Sequence, residues 1–200
     1  MILWRKQIMS KETRRMNPTK VITGKHTVFS YLNANKPQAP LGGTPKYSAS
    51  LIIPKDDTVT VQKIKAAIQA AYEEGEGKLR GSSKSVPPLA AIKTPLRDGD
   101  VERSDRPEYA NSYFINANSL TKPGAVDADR NPILDSNELY SGIIGRASIS
   151  FYAFNHSGNR GIACGLNNIQ KLADGAPLGG HSRPEDDFAD VDDDDDDFLA

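Results

Sequence analysis

The side chains in this 200-residue chain that could perform chemistry are carboxylates at regular spacing, one thiol, three imidazoles and a set of aromatic rings among cations. Asp127, Asp129, Asn131, Ile133, Asp135 and Glu138 stand at positions 1, 3, 5, 7, 9 and 12 of a calcium-loop pattern. Position 6 needs glycine for a sharp turn, but here it is Pro132, whose φ is fixed negative. A polar surface loop is the better reading. Asp98 and Asp100 could form half of a metal-dependent nuclease site, but the Asp98-Gly99 pair reads more simply as a turn. His26, His156 and His181 pair neither with each other nor with Cys164 at a spacing suited to metal or nucleophile activation. The glycine pairs at 42–43 and 179–180 lack the lysine of a phosphate-binding loop. No catalytic constellation, metal or cofactor is expected.

The rings remain. Strand alternation puts Ala147, Ile149, Phe151 and Ala153 on one face of a long strand, and Ser148, Ser150, Tyr152 and Phe154 on the other. Phe114 falls beside Ser112, Asn116 and Asn118, opposite Tyr113, Ile115 and Ala117. Rings on a serine- and asparagine-bearing face are not required by a core. They suit stacking on bases, worth roughly 1–3 kcal/mol per base without sequence discrimination. Packing under a loop or at a homodimer interface is the alternative. Lys46, Lys93, Arg97, Arg103, Arg106 and Arg146 lie near these strands and could neutralise phosphates. Tyr47 fits either the core, with Leu51 and Ile53, or the strand mouth beside Lys46. Phe29 and Tyr31 share a face and are assigned to the core.

Charge is split along the chain. All 25 Lys and Arg precede Pro184, and 10 of the 26 acidic residues lie at 185–197, so a formal net charge of −1 divides into +9 for residues 1–184 and −10 for the rest. Such a tail cannot bury enough apolar surface to fold and is expected to be a mobile polyanion. Tethered to a basic body, it competes with any other polyanion for that body. The single Cys164 fits a reducing cytoplasm. The first residues lack the apolar core of a secretory signal, and no run is long enough to span a membrane. Met9 and Met16 are alternative starts, and residues 1–19 are read as a basic arm or an upstream extension. The core domain is placed at 20–176, and linker plus acidic tail at 177–200.

The elements that must position these groups are mostly strands. They are expected at 26–33, 47–53, weakly at 89–96, then at 112–118, 143–154 and 161–166, with 167–172 a short helix or last strand. One amphipathic helix, capped by Asp57 or Thr58, carries Val61, Ile64, Ile68 and Ala71 or Tyr72 at helical spacing and ends at Gly75. With 16 Gly and 13 Pro, the pattern is β-rich with one main helix and long loops, fitting an OB-fold-like Greek-key barrel.

Segments 29–31, 45–55, 96–100, 119–123, 138–142 and 165–170, in this order and spacing, make the chain resemble the single-stranded DNA-binding proteins of tailed bacteriophages, a family long catalogued as a domain of unknown function. The resemblance covers roughly Lys20 to the C-terminus. It implies an OB-fold, sequence-independent binding of single strands in phage replication, recombination or repair, and an acidic tail that docks on replication partners. The tail residues it points to are Asp192, Asp193, Asp194, Asp195, Asp196, Asp197 and Phe198. Such tails usually finish on an aromatic residue, and here Leu199 and Ala200 follow Phe198. A DNA mimic acting through the tail is the rival reading, and a metal-dependent nuclease a more distant one.

Overall fold

In the computed structural model, residues 17–39, 43–156 and 158–179 are described. Residues 1–16 of the N-terminal arm and the acidic tail lie outside them, while Thr19 is buried and its carbonyl accepts from the Phe151 amide at 2.9 Å. Eight strands form one sheet: β1 (Lys20–Ile22), β2 (Thr27–Gln38), β3 (Lys46–Pro54), β4 (Leu96–Asp98), β5 (Ser112–Ser119), β6 (Gly124–Val126), β7 (Ile144–His156) and β8 (Asn159–Ala173). Among the described residues three α-helices accompany them, α1 (Thr58–Glu74), α2 (Glu76–Arg80) and α3 (Gly99–Glu102).

β2, β3 and β5 run antiparallel in sequence. β5 then meets β8 in parallel at Asn118 and Gly165. β8 pairs antiparallel with β7, and β7 returns to β2 through Thr27–Gly145 and Val28–Ile144. This path closes on itself, so the sheet is a Greek-key barrel of the OB type. β1 is added along β7, β4 along β5 and β6 along β8.

Closure depends on a period of two. Leu51, Ile53, Ile115, Ala117, Ala147 and Ile149 alternate inward, are essentially inaccessible, and meet Phe29 at the centre. α1 covers one end. Asp57 caps it by accepting from the Thr60 amide at 3.1 Å, Ile64 and Ile68 face the barrel, and Gly75 closes the last turn through Ala71 O. Lys63, Lys65 and Gln69 stay exposed. Among the described residues no helix is long and apolar enough to cross a membrane.

Several boundaries differ from expectation. Residues 89–91 form a 3-10 turn, and the strand begins only at Leu96, because Pro87, Pro88 and Pro95 interrupt any ladder. β2 continues to Gln38 through the turn-like 34–38 stretch, and β8 continues to Ala173 rather than ending in a helix. β1 and β6, three residues each, carry too few side chains to show a period.

The most informative irregularity is in β2. Ser30 pairs with Ser50, but Asn33 pairs with Ser48, so β2 carries one extra residue. Tyr31 sits in the bulge at φ 47°. Parity flips there: Phe29 is inward, and after the bulge Leu32 and Ala34 are inward. The assignment of Tyr31 to the core is therefore corrected. The residue is 47% exposed.

The 96–102 corner is tied to β3 by charge. Lys55 Nζ lies 2.8 Å from Asp98 and 2.7 Å from Asp100. Asp98 also accepts from the Asp100 amide, and Asp100 from the Asn111 amide. The hydrogen bond from Lys55, with that from Asn111, holds the Asp100 carboxyl below its ordinary range.

Two predictions follow from this packing. A Cβ on Gly145 would stand 2.0 Å from Gln170 O, whereas one on Gly77 would meet nothing. Gly145→Ala is expected to lose about 1–3 kcal/mol in urea unfolding, while Gly77→Ala in helix α2 is expected to gain up to about 1 kcal/mol. Because its folded pKa is depressed, Asp100 adds stability above its unfolded value near pH 4, and this is lost as pH falls through the folded value. The midpoint of thermal unfolding should therefore fall less steeply below about pH 4 in Asp100→Asn than in the parent.

Candidate nucleic-acid interface

The outward face of β3 and β5 is a polar floor. Ser48 pairs with Asn118 and Ser50 with Asn116, all four pointing away from the core strands' apolar side. Next in register come Ile52 and Phe114, which with Tyr109 make a second, smaller apolar cluster. The Tyr109 and Phe114 rings meet edge to face at 5.2 Å, and the buried Tyr109 hydroxyl donates to Ser50 Oγ at 3.0 Å. This cluster ends the floor like a wall.

Phe114 is correspondingly 0% exposed, so the expectation that it is presented to solvent is corrected. Its outer face is covered by the turn at Pro107–Tyr109 and by two guanidiniums, Arg97 at 4.9 Å and Arg103 at 5.8 Å from the ring centroid. Arg103 also stands 5.9 Å from the Tyr31 centroid and 5.8 Å from that of Tyr109. It forms no ion pair among the described residues, so its charge is free to meet an anion. Arg97, by contrast, is held by Glu102, which raises its pKa further.

Tyr31, Arg103, Ser48, Ser50, Asn116 and Asn118 enclose a depression of about 430 Å³. Ser48 and Asn118 also border a second one of about 580 Å³, which runs to Lys46, Thr44 and Asn33. The two make one groove with a ring and a guanidinium at one end and an ammonium at the other. Tyr47 is half-buried at the β3 mouth on the core side of the strand.

A register row continues this surface around the barrel. Asn33 pairs with Ser48, Ser48 with Asn118, Asn118 with Gly165, and Gly165 with Ser150. No large side chain interrupts it. Tyr152 borders it, 50% exposed, with a ring carbon 3.7 Å from where a Gly165 Cβ would lie. Phe154 is half-buried and rests over Gly161 in the same way. The exposed Lys93 lies beside Gly161 and borders a separate depression with Arg160.

The remaining cations stand apart. Arg106 is 3.8 Å from both Asp105 and Glu108. Arg146 projects from β7 into a different depression. Of the cations singled out from sequence, Arg103 and Lys46 border the groove, together with Tyr31, Asn116 and Asn118. The alternation of Ser112, Asn116 and Asn118 was a visible signal for the floor. The bulge that exposes Tyr31 left none.

Of the carboxylates weighed for metal chemistry, Asp98, Asp100, Asp127, Asp135 and Glu138 are engaged within the fold. Asp127 accepts from the Asn131 amide at 2.8 Å and its side chain at 3.1 Å, closing a turn between Val126 and Pro132. These bonds hold its carboxyl below the ordinary range. Asp98 and Asp100 are bound to Lys55. Burial pushes the Cys164 thiol up, away from nucleophilic use.

Known proteins share this fold. A curated relative, putative protein p50 of Acyrthosiphon pisum secondary endosymbiont phage 1, is 30% identical over 156 residues, 74% of this chain and 81% of its own. The single-stranded DNA-binding protein from bacteriophage Enc34, solved in complex with ssDNA, superposes with a TM-score of 0.65 at 25% identity, covering 82% of this chain and 91% of that one. The bacteriophage T7 single-stranded DNA-binding protein gp2.5 shares the fold, with a TM-score of 0.54 at 17% identity over 88% and 96% of the two chains. The two solved neighbours are single-stranded DNA-binding proteins. The family described as Enterobacter phage Enc34, ssDNA-binding protein, matches residues 19–199, and the chain belongs to that family.

Proposed function

We propose that the protein coats single-stranded DNA exposed during phage replication, recombination or repair in the host cytoplasm. The observation that carries this reading is the groove: a polar floor flanked by an exposed tyrosine, an unpaired arginine and a lysine. A flexible strand can lay phosphates against Arg103 and Lys46 and a base on Tyr31. Arg97, paired with Glu102, supports the wall, and Tyr47 borders the Lys46 end. From Asn118 the strand continues over Gly165 towards Tyr152 and Phe154, with Lys93 beyond.

The acidic tail acts as a tethered competitor for this basic surface. When DNA displaces it, the tail recruits replication or recombination proteins. Residues 20–176 form the binding domain in this reading, and 177–200 the linker and tail.

Fluorescence anisotropy with labelled oligo-dT and a matched duplex tests it. Single-strand-selective binding is expected, with log K falling against log salt at a slope of roughly −3 to −4 for four to six phosphates. Tyr31→Ala should cost about 1–3 kcal/mol of binding, and Arg103→Gln should weaken binding and make the slope shallower. Replacing Asp192 through Asp197 by Asn should tighten binding most at low salt, where the competition is least screened. No binding by either form would remove the coat function and leave the tail as the working part.

A further inference from the structure

A depression of about 460 Å³ opens beside the turn between β7 and β8, and no groove residue borders it. Its polar lining is Ser83, Ser85, Lys93, Asn159 and Arg160, without a carboxylate. Among the described residues neither cation makes an ion pair. Arg160 is held instead by neutral partners. Its Nη1 donates to Leu79 O at 2.8 Å and Arg80 O at 3.2 Å, the last carbonyls of α2, and to Ser83 Oγ at 3.3 Å. These bonds fix the guanidinium and leave its charge without a counter-ion.

Lys93 is fixed through its backbone. Its carbonyl accepts from the Ile162 amide at 2.8 Å, and it approaches β8 so closely that a Cβ on Gly161 would stand 2.5 Å from it. The Lys93 side chain is exposed and has no partner among the described residues. Two uncompensated cations lining one depression repel each other, and an anion seated with them relieves that repulsion.

The surface between groove and depression says which anion. Gly165 ends the β8 part of the groove row, and Gly161 lies four residues away, about 13 Å along the strand. Between them β8 turns only Ala163 to the side that faces Tyr152, its register partner. Small groups there let the β7 rings lean across: Tyr152 comes within 3.7 Å of a Cβ built on Gly165, and Phe154 within 3.2 Å of one on Gly161. Rings followed by cations suit a chain of alternating bases and phosphates, whereas a free phosphate would make no use of the rings.

We infer that Lys93 and Arg160 clamp a backbone phosphate of a single strand that has left the groove row and crossed Tyr152 and Phe154. The strand thus turns from running across the barrel to running along β8. This rests on the coat function and adds to it a second phosphate site, which sets how much strand one copy engages.

Lysine acetylation of the full-length protein, mapped by mass spectrometry, tests this with oligo-dT of increasing length across the roughly 4–16 nucleotides of OB-fold sites. Lys46 should be protected at every length that binds, and Lys93, at least about threefold, only by the longer strands. In Arg160→Gln, protection of Lys93 should fall at least about threefold relative to that of Lys46. Lys93→Gln removes only an exposed charge, and in anisotropy titrations its loss of affinity should grow with length, to at least about threefold at the longest. Protection or loss that is equal at all lengths, or absent at all lengths, would overturn the clamp. So would equal protection of Lys93 by inorganic phosphate at matched phosphate concentration and ionic strength, which would make this a site for the free anion. Protection of Lys46 alone would overturn the clamp and leave the groove reading standing. Length-dependent protection of Lys93 without Lys46 would sustain the phosphate site and remove the groove.

Discussion

The molecule depends on closing a sheet whose ends would otherwise be unpaired edges. The β7–β8 hairpin does most of this, because β7 reaches β2 along one edge and β8 reaches β5 along the other. Closure fixes the register of each strand to its neighbours, and register decides which side chain faces water. A slip of one residue would turn Ala147, Ile149 and Phe151 outward and bury Ser148, Ser150 and Tyr152. The outer polar floor and the apolar core are therefore two readings of the same pairing.

The outer face is then divided by small local devices. A three-residue cluster, Ile52, Tyr109 and Phe114, walls the groove, and Arg103 lies across three rings. That arrangement holds a cation at the surface without a carboxylate to neutralise it, since the ring faces supply the electrostatic support. Arg97 and Lys55, at the same corner, are neutralised by Glu102, Asp98 and Asp100. The corner thus separates cations that hold the fold from one that is available to an anion.

Much of this was legible in the sequence because it follows from simple periods. The inward set of β7, the polar sets of β3 and β5, and the capped face of α1 each repeat at two or at helical spacing. What escaped had no period to reveal it. Tyr31 shares parity with Phe29, and only an extra residue in β2 places them on opposite sides. Phe114 does share the polar face of β5 as alternation requires, but its cover comes from Tyr109, on a turn that becomes adjacent only in three dimensions. Three-residue strands such as β1 and β6 are defined by their partners rather than by their own residues.

The bulge at Tyr31 separates durability from use. A left-handed backbone conformation costs an ordinary L-residue about 1–2 kcal/mol, and glycine far less. Glycine would ease the backbone there and remove the ring. A chain selected only to resist heat would drift towards glycine at this position, and one selected to hold a ligand would keep the aromatic. Variation at residue 31 among relatives would thus record which demand each has met.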